Sequence, residues 1–145
     1  TISLPDLAFS SGGDEKTEVT GELTFIAANR KSFTTSQQVW EANNVKLVND
    51  KGSSTSNVAD YVNPARFYKS SKITVSAPGA ITTIVFDCNN ASYATALKDS
   101  IKTGTVSVAS DKVTVILDGS SNEFVISSLT GGQVRMDSMT VTYLE

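Results

Sequence analysis

From Gly21 to the end of the chain, short apolar stretches keep returning with every second residue polar. This period of two constrains the fold more than any other feature of the sequence. Leu23 and Phe25 alternate with Glu22 and Thr24, Val45 and Leu47 flank Lys46, and Ile73 and Val75 alternate with Lys72 and Thr74. Val39 follows Gln37-Gln38 and leads into Trp40. Ile81 to Phe86 is more continuously apolar, as expected of a strand in the middle of a sheet. Val106 and Val108 run into Ser110-Asp111, and Val113 and Val115 run out again, the pattern of a hairpin. Phe124 and Ile126, Val134 and Met136, then Met139, Val141 and Tyr143 complete the set. Strands this short and this regularly spaced predict an all-β fold: a two-sheet antiparallel β-sandwich of jelly-roll type.

One segment breaks the pattern. Between Ala91 and Ile101, the residues Tyr93, Ala94, Leu97 and Ile101 fall at helical spacing, with Asn89 or Asn90 in position to cap the N-terminus. A single short helix closing one end of the sandwich is expected there. The first residues also differ: Thr1 to Leu7 is short and apolar, and Ser10 to Lys16 is a polar, glycine-containing stretch. Residues 1–20 are therefore expected to be a linker or a loosely attached first strand, and residues 21–145 the sandwich.

The 145 residues fit one domain with a core that needs no staples. Ser and Thr make up about a quarter of the chain, which suits turns and the wet faces of two sheets. The balance of 12 basic against 15 acidic residues gives a net charge of −3 with no long run of either sign. That argues against a polyanion partner, because nucleic-acid binders concentrate Lys and Arg on one face. No stretch approaches the roughly 20 apolar residues of a membrane span. An extracellular or cell-surface protein is expected, which requires a signal peptide removed or lying outside this sequence.

The chain has no histidine and one cysteine. Ser-His-Asp triads, Cys-His dyads and most zinc sites are thereby excluded, as is an intrachain disulfide. Cys88 ends the apolar run Ile84-Val85-Phe86, where a small buried thiol is expected. The carboxylates Glu22, Glu41, Asp99, Asp111, Asp118 and Glu123 all lie at polar positions or turns, without the desolvating context that glycoside hydrolysis requires. No enzymatic activity is expected. Asp50, Asp60 or Asp87-Asn89-Asn90 offer oxygen ligands for a structural calcium, but no EF-hand or acidic repeat organises them, and no other cofactor is expected.

The region from Asn49 to Ser71 is too long for a hairpin loop, and long structured loops on a rigid sheet are where binding residues usually sit. It combines amides, hydroxyls and charges with aromatic rings. Rings stack on the apolar face of a pyranose, and planar polar groups take its hydroxyls in bidentate fashion. On this basis Trp40, Tyr61 and Tyr68 are the candidate platforms, and Asn57, Asp60, Asn63 and Arg66 the candidate hydrogen-bonding groups. The competing assignment is structural: Trp40 in the core, the amides satisfying turns, Arg66 paired with Asp60, and Asn63-Pro64 a fixed bend.

Gln38-Val39-Trp40, Asn43 to Ser71, Ile81 to Leu97 and Gln133 to Tyr143 together resemble a module that recurs in large multidomain extracellular proteins of gut anaerobic bacteria. Such modules are similar in layout to jelly-roll carbohydrate-binding domains, in which a closing strand like the one carrying Arg135, Asp137, Ser138 and Val141-Thr142-Tyr143 is common. The resemblance implies a bacterial, secreted or cell-surface binding module. The expected function is non-catalytic binding of a polysaccharide, starch-like or from plant cell walls, strengthened by other domains of the parent protein. The alternative is a structural or adhesive spacer with no sugar ligand, which expects Trp40 buried and the Asn49 to Ser71 region satisfied from within.

Overall fold

The computed structural model describes residues 17–131 and 133–145. These form strands β1 (Glu18–Thr24), β2 (Arg30–Thr34), β3 (Gln37–Ala42), β4 (Val45–Asp50), β5 (Ala65–Tyr68), β6 (Lys72–Ser76), β7 (Ile81–Cys88), β8 (Thr105–Ala109), β9 (Lys112–Ile116), β10 (Glu123–Ile126) and β11 (Gln133–Leu144). One α-helix, α1 (Ala91–Ser100), and a single 3₁₀ turn at Ala27–Asn29 accompany them. One sheet runs β1-β11-β7-β9-β8, with β5 added on β11; the other runs β10-β6-β4-β3-β2. All pairings are antiparallel. The chain crosses between sheets after β1, β4, β5, β6, β9 and β10. The predicted two-sheet antiparallel sandwich with one short helix is the observed architecture.

The alternation written in the sequence becomes an inside and an outside. On β4, Val45, Leu47 and Asn49 point inward, and on β6 Ile73 and Val75 do the same. With Leu23, Ile84, Phe86, Val113, Val115, Phe124, Val134, Met139 and Val141 they build a core shared by both sheets. Three rings anchor one end of it. Phe25 meets Trp40 edge-on at 5.1 Å and Phe67 at 6.1 Å, an arrangement that adds about 0.5–1.5 kcal/mol per pair beyond area burial.

β11 is the spine. Its inward residues are spaced by two as far as Met136, then by three to Met139, and a register shift against β7 falls between Met136 and Ser138. The extra residue is a bulge, which lets both halves of a twelve-residue strand keep their apolar side inward. Met136 pairs with Cys88 on one edge and Ala65 on the other, so β5 lies end to end with β1 along the edge opposite β7.

Turn chemistry accounts for the hairpins. Asn43 and Asn44 both take positive φ (52° and 68°), the pair of left-handed residues that a two-residue turn between twisted strands requires. Asn90 caps α1 by accepting the Tyr93 N–H at 3.1 Å, and the helix stops at Ser100 with Ile101 as its C-cap.

Three boundaries differ from expectation. β1 begins at Glu18, so Glu18 to Thr20 belong to the sandwich; the linker expected at the chain start otherwise falls on residues 1–16, outside those described. β2 carries no apolar alternation because no residue of this edge strand is fully buried. β5 lies within the region read as loop, since four residues are too few for periodicity to show.

Cys88 is fully buried, and burial, reinforced by Asp87, Asp111 and Asp137, pushes its thiol up to about 12. The thiolate is the reactive form. A thiol reagent at mildly alkaline pH is therefore expected to label none of the native protein and all of it in denaturant. Stoichiometric labelling of the native chain would contradict this burial.

Candidate functional site

Both described chain ends lie together: Thr17 and Glu145 exchange two backbone hydrogen bonds (3.2 and 2.9 Å) beside the start of β7, where Leu144 N–H donates to Ala80. The connection from Asp50 to Ala65 lies at the other end of β7, near α1. It is pinned there by its own backbone. Val58 N–H donates to the Thr35 carbonyl and Asn63 N–H to the Phe25 carbonyl, each at 2.8 Å. Asn63 has a positive φ of 53° and a cis peptide bond to Pro64, the fixed bend expected of that dipeptide.

Two inward polar residues hold this end from beneath. Gln38 and Asn49 face each other across β3 and β4 and are both buried. Gln38 Nε2 donates to Asp60 Oδ1 (3.0 Å), and Asn49 Nδ2 donates to the Arg66 carbonyl (3.2 Å). Gln38 thereby ties Asp60 of the loop, and Asn49 ties β5, to the second sheet. The amide oxygens of both stay buried without a partner, which costs part of that gain.

Asp60 does not pair with Arg66. Its Oδ1 lies 3.1 Å from Arg30 Nε, an ion pair whose N–H is too misaligned to count as a hydrogen bond. The structural partner is Arg30 because β2 runs alongside the loop while Arg66 points outward from the opposite sheet. Arg66 instead lays its guanidinium over the Tyr61 ring, 3.7 Å from the centroid.

The largest correction concerns Trp40. It is completely buried between Phe25 and the rest of the core, so it offers no face to a ligand. The period of two places Gln38, Trp40 and Ala42 on one face of β3, and the pairing of the sheets makes that face the inner one. The exposed ring is Tyr61, at 44%, next to exposed Val62 and, across the Asn63–Phe25 bond, exposed Ile26. Tyr68 is half-buried two residues beyond Arg66 on β5, opposite Gln133. Asn57 is exposed on the loop, away from this constellation's contacts. The fold thus joins Tyr61 to Arg66 and ties the neighbouring Asp60 to Arg30 and Gln38. It places Tyr68 two residues along β5 on the same outward side as Arg66, and it removes Trp40.

Comparison with protein-family models, with curated proteins and with solved structures finds no significant match to this chain. Function has to be read from the surface itself.

A concavity of about 470 Å³ lies at the other end, beside the chain ends, lined by Ile81, Ile116, Leu117, Asp118, Glu123 and hydroxyl-bearing residues. Ser120 donates to Asp118 through both its N–H (3.1 Å) and its hydroxyl (2.6 Å), which holds the Asp118 carboxyl below its usual range. A general acid needs the opposite shift. Among the described residues no group of three or more Asp, Glu or Cys side chains is placed to hold a metal ion. No helix among them is long and apolar enough to cross a membrane.

Proposed function

We propose that this chain is a non-catalytic carbohydrate-binding module of a secreted or cell-surface bacterial protein, binding a polysaccharide at the loop end of the sandwich. Of the three rings expected to stack, Tyr61 is its platform. The supporting observation is the state of that ring: it is exposed on a loop tied down at both ends and backed on one face by Arg66. A platform that is already rigid loses little entropy when a sugar docks. Asp60, Arg66 and Tyr68 supply polar groups around it, and Asn57 and Asn63 lie on the same connection. Binding by one such site is weak, and neighbouring domains of the parent protein would add avidity.

A spacer without a sugar ligand is the second reading. Trp40 burial and the internal ties of the loop through Gln38, Asn49 and Arg30 favour it.

Native affinity electrophoresis against a panel of soluble polysaccharides separates the two. The binding reading expects retardation by at least one glycan, weakened tenfold or more by Tyr61→Ala in a variant with an unchanged melting temperature. No retardation by any member of the panel leaves the spacer reading in its place.

A further inference from the structure

Arg66 on β5 and Arg135 on β11 are direct cross-strand partners. In an antiparallel pair such residues point to the same face with their Cβ atoms roughly 5 Å apart, and like charges in that position repel. Here the face is the outer one, since the alternating residues Ala65, Phe67, Val134 and Met136 are buried inward. Among the described residues neither arginine makes an ion pair. Asp60 is engaged by Arg30, and Asp137, the next outward acid on β11, lies within hydrogen-bonding reach of Asn89 instead.

Both guanidiniums are nonetheless held in place. Arg66 lies on Tyr61 at 3.7 Å, and Arg135 lies 5.5 Å from the centroid of Tyr93 on α1. Arg135 Nε donates to Gln133 Oε1 at 2.6 Å, while Arg66 Nε is buried without a partner. Two oriented, half-buried guanidiniums without an ion pair, rooted at paired positions on one outer face and drawn toward separate rings, suit an oxyanion that bridges them. Each can offer a planar pair of N–H donors to a carboxylate or sulfate, and the ligand's charge would relieve their repulsion.

We propose that the polysaccharide bound here is an acidic one, and that Arg66 and Arg135 together clamp a sugar-borne oxyanion beside the Tyr61 platform. This rests on the carbohydrate-binding reading above and narrows its substrate class. This runs against the expectation, drawn above from the net charge of −3, that no polyanion is bound; that expectation concerns a long basic track, whereas here two arginines read one oxyanion. The oxyanion is either the carboxylate of a uronic acid or a sulfate ester.

The test is affinity electrophoresis of the whole chain in polygalacturonate, in chondroitin 4-sulfate, and in neutral amylopectin, xyloglucan and galactomannan. Arg66→Gln and Arg135→Gln are run beside the parent, with thermal melts to confirm folding. The expected result is retardation by an acidic polymer and none by the neutral ones, reduced at least tenfold in each variant without a lowered melting temperature. Retardation by polygalacturonate identifies a uronate. Retardation by the chondroitin that is lost when its sulfate is removed identifies the sulfate, and retardation that persists on desulfated chondroitin identifies its glucuronate. Retention by neutral glycans alone, or acidic retention that survives both substitutions, overturns the clamp and leaves a carbohydrate-binding module. Failure of every polymer overturns both readings. A substitution that unfolds the chain shows the pair to be structural and also overturns the clamp.

Discussion

Replacing Trp40 with alanine is expected to lower the free energy of unfolding by about 3–5 kcal/mol, the range for deleting a large ring from a packed core. Trp40 is wholly buried and is the edge-on partner of Phe25, which in turn carries Phe67. The cavity would open where both sheets meet, and the surrounding strands are tied by their ladders, so collapse onto the space is restricted. Domains of this size have only about 5–15 kcal/mol in total. Trp40→Ala is thus expected to be largely unfolded on mild warming, and any loss of sugar binding in it would report unfolding. Trp40→Phe should cost much less, because it keeps most of the ring and removes an indole N–H that is buried without a partner. Urea titration followed by circular dichroism measures both, and acrylamide quenching measures access to the indole. Ready quenching together with a loss under about 1 kcal/mol would place the ring at the surface and defeat this account.

Gly79→Ala is expected to cost about 3 kcal/mol, the upper part of the range for overpacking. Gly79 lies in the connection from β6 to β7, pressed against the end of β11. A Cβ there would overlap the Leu144 carbonyl oxygen and stand 2.9 Å from its carbon. The obstacle is backbone, which has no alternative rotamer. It is also held in place, because Leu144 N–H donates to Ala80 at 2.8 Å and Glu145 bonds Thr17 beyond it. Relief requires prying the last residues of β11 from the turn. Pro78→Ala, exposed and immediately adjacent, is the control and should cost no more than about 1 kcal/mol, the entropy a turn proline removes from the unfolded chain. Equal melting temperatures for the two variants would show that the turn yields freely.

Much of the fold was legible because a half-buried strand advertises itself through its alternation. The hairpin of β8 and β9 was readable from two pairs of valines around Ser110-Asp111, and the helix from Tyr93, Ala94 and Leu97. Even the bulge in β11 is written in the sequence, as the step from Met136 to Met139 where two-residue spacing would need position 138. β2 and β5 were not legible. One exposes nearly everything it carries, and the other has only Ala65 and Phe67 to signal its inner face.

The candidate site was legible as a neighbourhood but not as a geometry. Composition located the connection after β4 as the place where rings and polar groups gather. It could not say that Asp60 takes Arg30 or that Arg66 takes Tyr61, since those choices depend on which sheet each strand joins. Trp40 shows the limit most clearly. Its alternation places it on a definite face of β3, and only the packing of the second sheet turns that face inward.

What the sequence by itself determined is the strands other than β2 and β5, their apolar sides, the capped helix, and the exclusion of histidine and disulfide chemistry. Each depends on residues near one another along the chain, where side-chain period, turn residues and composition act directly. The tertiary structure alone decided that Trp40 is core, that Tyr61 is the exposed ring, and that Arg66 stands across from Arg135. Those are matters of register between segments far apart in the chain. Register is set by how all the apolar faces are buried at once, a condition that no single stretch of sequence contains.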